Sequence, residues 1–173
     1  MALLNSTLGY INWFVATPLF YDSIGTAIVA AVFGTVPGII TALITHGLME
    51  VFNSFSGDFY PFVVCNIATA VVVGSMVSRR RLRRLHHAIL AVLLVTIANA
   101  VLGTIVATYL FAGVTGHASD YLVNGFLIAG QSMIQASFWA RIPANLVDKT
   151  IAVLPAYMLL RYFCRKRLVA GRC

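Results

Sequence analysis

Charge is scarce in this chain. Only 10% of its 173 residues are Asp, Glu, Lys or Arg, and only five are acidic, where a soluble domain carries about 25% charged residues. That shortage excludes an ordinary soluble globule. The 60% apolar content and mean hydropathy of +0.90 exclude a disordered chain, which needs low hydrophobicity. Cysteine is scarce too: Cys65, Cys164 and Cys173 are odd in number and widely spaced, so they do not form a disulfide framework. Phosphate-binding signatures are missing. Neither a Gly-x-x-x-x-Gly-Lys-Ser/Thr loop nor a Gly-x-Gly-x-x-Gly turn occurs, which leaves the chain without means of hydrolysing ATP or holding a dinucleotide by itself. The four histidines, at 46, 86, 87 and 117, form no His-x-x-x-His pair, no Cys-x-x-Cys occurs, and no Ser/His/Asp or Cys/His set stands out. These absences argue against an enzyme, a metal site and a resident cofactor.

What is present is a series of long uncharged stretches, 1–21, 23–49, 59–78, 85–119 and 121–140. Each is near or above the ~18–20 residues that cross a bilayer core as helix. The second is too long for one straight span and is broken at Gly34, Pro37 and Gly38, where a tight turn is the economical reading. The expectation is an all-α integral membrane protein forming a single transmembrane domain over 1–173. Its six spans fall at about 3–20, 23–34, 37–53, 59–78, 85–112 and 137–162, with a long outer loop at 113–136.

The net charge of +7 is concentrated. Ten of the twelve basic residues fall in two clusters, Arg79, Arg80, Arg81, Arg83 and Arg84, then Arg161, Arg165, Lys166, Arg167 and Arg172. Basic residues accumulate on the cytoplasmic side, so both clusters should lie inside, which places both termini inside and the 20–22, 54–58 and 113–136 loops outside. Six residues between two spans leave no domain to present a nucleic-acid patch; orientation and contact with anionic lipid account for the run. His86 and His87 belong to the same interface.

Polar residues at membrane depth mark a substrate or ion path by default. On the last span Arg141, Asn145, Asp148 and Ala152 fall on one stripe, with Lys149 at its edge. Mixed charge and an amide on one face suit a pocket wall. For Arg141, snorkelling to the outer headgroups is an equal alternative. Asn66 and Asn99 lie on two other spans. Each alone suits interhelical bonding, yet with Asn145 all three fall between the outer face and the midplane, as a cavity open to the outside would require. The segment 113–136 carries Asp120, Tyr121 and Asn124. Its apolar stretch 121–130 is too short to cross, so a re-entrant or surface helix acting as a lid and a simple interface anchor are both open. In the second span Gly25, Ala27, Ala30, Ala31 and Gly34 permit close helix packing; Ala2, Ser6 and Gly9 in the first are candidates for a docking face.

The order of these features resembles the substrate-binding S component of an energy-coupling factor (ECF) vitamin transporter, over nearly the whole chain. The resemblance rests on Phe20-Tyr21-Asp22-Ser-Ile-Gly-Thr leading into a short span, Gly34-x-x-Pro-Gly38 at the turn, and Asn53-Ser-Phe-Ser-Gly-Asp-Phe-Tyr-Pro61 before a span bearing Asn66. It continues through the basic turn, Asn99 and Ile142-Pro-Ala-Asn145-Leu-Val-Asp148-Lys149. The riboflavin-type members are closest in pattern; their sixth span resembles Pro-x-Asn-x-x-Lys, with Asn and Lys facing the vitamin. Here Asp148 takes the position matching that Lys and Lys149 follows, which departs from a riboflavin site. The nickel and cobalt members begin Met-His, and Met1-Ala2-Leu3 does not, so a metal substrate is disfavoured. The resemblance implies a bundle without catalysis that binds a small vitamin-like molecule from outside. It also implies work with a transmembrane coupling protein and two ATP-binding cassette ATPases in a prokaryotic cell membrane. Tyr21, Asp22 and the 117–124 loop would close the mouth, Asn66 and Asn99 would supply hydrogen bonds, and Arg141, Asn145, Asp148 and Lys149 would form one wall. A sensory membrane domain and a self-sufficient secondary carrier are the alternatives, though no inverted repeat of the kind carriers often show is evident.

Overall fold

The computed structural model describes residues 1–78 and 84–169, with the side chains of 78 and 164–169 outside the description. Most of the first basic cluster (Arg79, Arg80, Arg81 and Arg83) and Arg172 therefore lie outside the described residues, as do the side chains of Arg165, Lys166 and Arg167. Among the described residues every regular element is helical: α1 (Ala2–Val15), α2 (Ile24–Phe33), α3 (Thr35–Phe52), a 3-10 turn (Tyr60–Phe62) running into α4 (Val63–Ser78), α5 (Leu85–Leu110), α6 (Asp120–Ile128) and α7 (Met133–Val169).

Among the described residues three stretches are long and apolar enough to cross a bilayer, Thr35–Phe52, Tyr60–Val77 and Leu85–Leu110. The other expected spans depart from the sequence reading in length. The stretch 3–20 is helical only to Val15, because Ala16 turns left-handed (φ 54°) and caps back onto Asn12. At 14 residues α1 is about 21 Å long, and α2, at 10, about 15 Å, both short of a ~30 Å core. The last helix begins at Met133 rather than 137, runs on past 162, and carries Arg141, Asp148 and Lys149 mid-course. The outer segment 113–136 is not one loop: it holds α6 and the first turn of α7.

The pattern of burial is inverted relative to a soluble protein. On α5 Ile89, Leu93, Ile97, Val101 and Ile105 form an exposed stripe at four-residue spacing, while Ala88, Ala91, Val95, Asn99 and Ala107 face inward. Small residues inside let helices approach, and large apolar ones outside suit lipid. On α1 the buried face is Asn5, Ser6, Gly9 and Asn12. Asn5 donates to the Thr26 and Thr45 hydroxyls at 3.0 and 3.2 Å and accepts from the Gly25 amide at 2.6 Å; Ser6 donates to the Thr45 carbonyl at 3.0 Å. Ser6 and Gly9 are thus turned into the protein's own α2 and α3, which corrects the reading of them as an outward docking face.

The core packs α2 against α3, α4 and α7, and α5 against α4 and α7. It is built of Ala27, Ala30, Ala31, Ala70, Ala88, Ala91, Ala152 and Ala156 around Val73, Val95 and Val153. Gly38 shows how close the helices come: a Cβ there would lie 2.7 Å from that of Ala30 and 3.0 Å from that of Ala70. The break between α2 and α3 is at Gly34 alone, whose φ of 101° disfavours any side chain, and Pro37 sits in the first turn of α3, where its missing N–H costs nothing. Helices α1, α3, α4, α5 and α7, with the irregular segment 16–23 between α1 and α2, enclose a cavity.

Candidate functional site

The cavity, of about 80 Å³, is lined from every principal element except α2 and α6. Asp22 comes from the 16–23 segment, His46 from α3, Asn66 from α4, Asn99 and Gly103 from α5, His117 from the loop before α6, and Arg141, Asn145 and Lys149 from α7. Trp13, Phe20, Phe59 and Phe62 supply its apolar surface. Six of the eleven residues singled out in the sequence, Asp22, Asn66, Asn99, Arg141, Asn145 and Lys149, therefore share one lining. The stripe on α7 arises because positions 141, 145, 148 and 152 are one helical face, and all four are at most 4% exposed.

The charges within that stripe differ in their partners. Lys149 Nζ donates to Asp148 Oδ2 at 2.6 Å and to Ser23 Oγ at 2.8 Å, with Asp22 Oδ1 at 4.0 Å. Oriented so that both ends are matched, the Asn99 amide donates to the Cys65 carbonyl at 2.8 Å and accepts from Lys149 Nζ at 3.3 Å. The other oxygen of Asp148 accepts the Tyr21 backbone N–H at 2.8 Å. Asp148 is fully buried and does not reach the cavity surface; nor does Tyr21, whose amide it holds in a left-handed turn (φ 55°). Arg141 is different. Its Nη1 is spent on the Ser137 carbonyl and hydroxyl at 3.1 and 2.5 Å, and no carboxylate among the described residues pairs with it. It is 2% exposed and folds along its own helix against Gly103, so it faces the cavity and not the periphery.

Around Asp22 the acceptors gather. Asn66 donates to the Asp22 carbonyl at 2.9 Å and leaves its own oxygen buried without a partner. His46 meets the Phe59 carbonyl through Nδ1 at 2.9 Å; since a carbonyl only accepts, Nδ1 carries the proton. Its Nε2 lies 3.5 Å from Asp22 Oδ2 with no hydrogen bond made.

The 113–124 region closes one side. Asp120 accepts from the Thr115 and Gly116 amides at 2.8 and 2.9 Å and from the Thr115 hydroxyl at 3.0 Å, which tightens its own loop; with Tyr121 and Asn124 it borders a separate, more open hollow of about 240 Å³. Tyr121 is 79% exposed. His117, within that loop, stacks on Phe20 at 4.9 Å and meets the Asn12 amide at 3.3 Å, and burial lowers its pKa, favouring the neutral ring. Asn12 also bonds the carbonyls of Thr17 and Leu19, so it ties α1, the 16–23 segment and the outer loop together.

His46, Asn12 and the four aromatics are lining residues that the sequence reading did not select, and His117 entered it only as the first residue of the 117–124 loop. Asn12 had a signal, being an amide on an apolar helix. The histidines had none beyond their place in uncharged stretches. Glu50 is a further case: buried, it accepts from the Gly57, Phe59 and Tyr60 amides at 2.9, 2.7 and 2.6 Å, which fixes the turn that brings Phe59 and Phe62 to the cavity.

A family model described as "ECF transporter, substrate-specific component" matches residues 1–160. The chain belongs to that family. Its members are the substrate-binding subunits of ECF transporters, membrane proteins that work in transport and not as enzymes. No curated protein and no solved structure matches the chain.

Proposed function

We propose that this S component captures a small, polar, vitamin-like molecule from outside the cell in the cavity between α3, α4, α5 and α7. It would deliver its cargo with a transmembrane coupling protein and two ATP-binding cassette ATPases in a prokaryotic plasma membrane. Family membership supports the subunit's role. The observation that carries the choice of cavity is Arg141, a buried cation on its wall with no carboxylate partner among the described residues. An unpaired buried charge costs several kcal/mol, which is repaid when an anionic group of the substrate occupies the site. We assign contact with the substrate to Arg141, Asn145, Asn66 and Asn99, support of the wall to Asp148 and Lys149, and closure of the mouth to Tyr21, Asp22, Asp120, Tyr121 and Asn124. The chain crosses six times with both ends inside, the short α1 and α2 being completed by the irregular 16–23 segment. Such backbone is tolerated at membrane depth where it lines a cavity and its groups are bonded by the protein, as Asn66, Asn12 and Asp148 do here.

The test is mass spectrometry of small molecules released by denaturing the detergent-purified protein, with co-purification of the three partner subunits in parallel. A stoichiometric small molecule, reduced in Arg141→Met and Asn145→Leu proteins that still fold, is expected. A wild-type protein that is consistently empty, or one that moves substrate into liposomes by itself, would overturn the reading.

A further inference from the structure

Resting on the capture reading, we propose that the cavity selects a dipolar ligand: an organic anion held by Arg141 that also carries an N–H donor group, such as an amine, for the acceptors gathered at Asp22. The hydrogen-bond accounting of the lining leads there. With Nη1 of Arg141 occupied by Ser137, no bond among the described residues uses the edge formed by Nε and Nη2, and such an edge can grip a carboxylate or phosphate oxygen pair with two parallel bonds. A second group of atoms lacks the opposite thing. The Asn66 oxygen and His46 Nε2 are both buried without partners, and both residues line the cavity. Nε2 faces a carboxylate oxygen of Asp22 at 3.5 Å without a hydrogen bond, so in the tautomer that donates to Phe59 through Nδ1 the two are acceptors set side by side. Buried unpaired acceptors are penalised, and a ligand N–H satisfies them.

Lys149 does not fill this need. Its ammonium is directed at Asp148 and Ser23, at 2.6 and 2.8 Å, and stands 4.0 Å from Asp22. Asp148 offsets Lys149, which leaves Arg141 positive and Asp22 negative on one lining, with Asp58 at the rim tied to Asn53 at 3.3 Å. A ligand with opposed ends matches both; a simple anion leaves the acceptors orphaned, and a simple amine leaves Arg141 unpaired. Trp13 and Phe59, packed edge to face at 5.4 Å, supply an apolar surface for its body.

Isothermal titration of the purified full-length protein with four probes tests this: 4-(aminomethyl)benzoate, its methyl ester, 4-methylbenzoate, and 4-(aminomethyl)phenylphosphonate. One or both of the aminomethyl acids should bind at least about tenfold more tightly than the ester and than 4-methylbenzoate, since each half-ligand forfeits one charge-assisted contact. A preference for the phosphonate over the benzoate identifies a phosphate-like anion, and the reverse a carboxylate. Arg141→Met should erase the preference for acid over ester, and Asn66→Leu the preference for aminomethyl over methyl; the wild-type ranking needs neither variant to fold. Equal binding of ester and acid overturns the anion assignment. Equal binding of 4-methylbenzoate and 4-(aminomethyl)benzoate overturns the donor assignment and leaves a doubly protonated His46 as the group that satisfies Asp22. Failure of all four probes, with a small molecule still released on denaturation, overturns the dipolar class while capture stands; an empty protein that binds none overturns both.

Discussion

Two groups of charge sit on one face of α7, two turns apart, and they live under opposite conditions. Asp148 and Lys149 are saturated: the carboxylate holds the ammonium and the Tyr21 amide, and the ammonium holds Ser23. Arg141 is equally buried, yet its bonds reach only one turn back along its own helix. The first group ties α7 to the segment before α2 and belongs to the fold. The second is bonded only to Ser137 and left without a carboxylate among the described residues, as the proposed capture of an anionic ligand requires. Burial is the same in both; the partner list separates them, a neutral pair on one side and a lone cation on the other.

The largest expected effect breaks the saturated group. Asp148→Ala removes the partner of a buried ammonium and the acceptor of the Tyr21 amide, and should cost about 3–5 kcal/mol of stability, read by thermal unfolding in detergent. Replacing both charges together, Asp148→Leu with Lys149→Met, should recover more than half of that loss, because no uncompensated charge remains. If Asp148→Ala costs under about 1 kcal/mol, the pair is not structural and the contrast with Arg141 fails.

Arg141→Met should show the reverse profile. Stability stays within about 1 kcal/mol of wild type or rises, since an unpaired buried cation is removed, while the amount of small molecule retained through purification falls at least about tenfold. A matching drop in unfolding temperature would instead place Arg141 among the structural charges.

This contrast was only half legible in the sequence. The α7 stripe follows from helical periodicity, and uncharged runs long enough to span a membrane made Asn66, Asn99 and Asn145 conspicuous. The short apolar stretch after Asp120 was readable as a re-entrant or surface helix, and a helix, α6, is there. Hidden were the partners: Ser23 lies 126 residues from Lys149, Tyr21 lies 127 from Asp148, and no local pattern announces either contact. His46 was hidden for the same reason, because its role depends on a Phe59 carbonyl that Glu50 positions. The end of α1 was misjudged because 16–20 is as apolar as a helix; what turns it is Asn12, which captures the chain's carbonyls and caps Ala16 in a left-handed turn.

A smaller perturbation sharpens the account of Arg141 without touching its charge. In Gly103→Ala the new Cβ would stand 3.2 Å from Arg141 Nε and 3.3 Å from Cδ, tighter than ordinary contact. The guanidinium must shift by a few tenths of an ångström. Retention of the small molecule should fall by a factor of about three to ten, with under about 1 kcal/mol of lost stability, as expected when a positioned bidentate donor is displaced but not removed.

The smallest effects belong to the rim. Tyr121 is 79% exposed and Asn124 is exposed beside it, both bordering the outer hollow and not the cavity. Tyr121→Ala and Asn124→Ala should each change stability by no more than about 0.5 kcal/mol. The two roles open to Tyr121 then separate by rate. A residue of a closing lid should speed ligand release several-fold while leaving stability untouched, whereas a membrane anchor should leave release unchanged and lower only partitioning into lipid. Stopped-flow Trp fluorescence, with Trp13 on the cavity wall as one reporter, measures the release rate directly. A Tyr121→Ala protein with wild-type release and reduced reconstitution into vesicles would move α6 from the mouth of the site to the membrane surface.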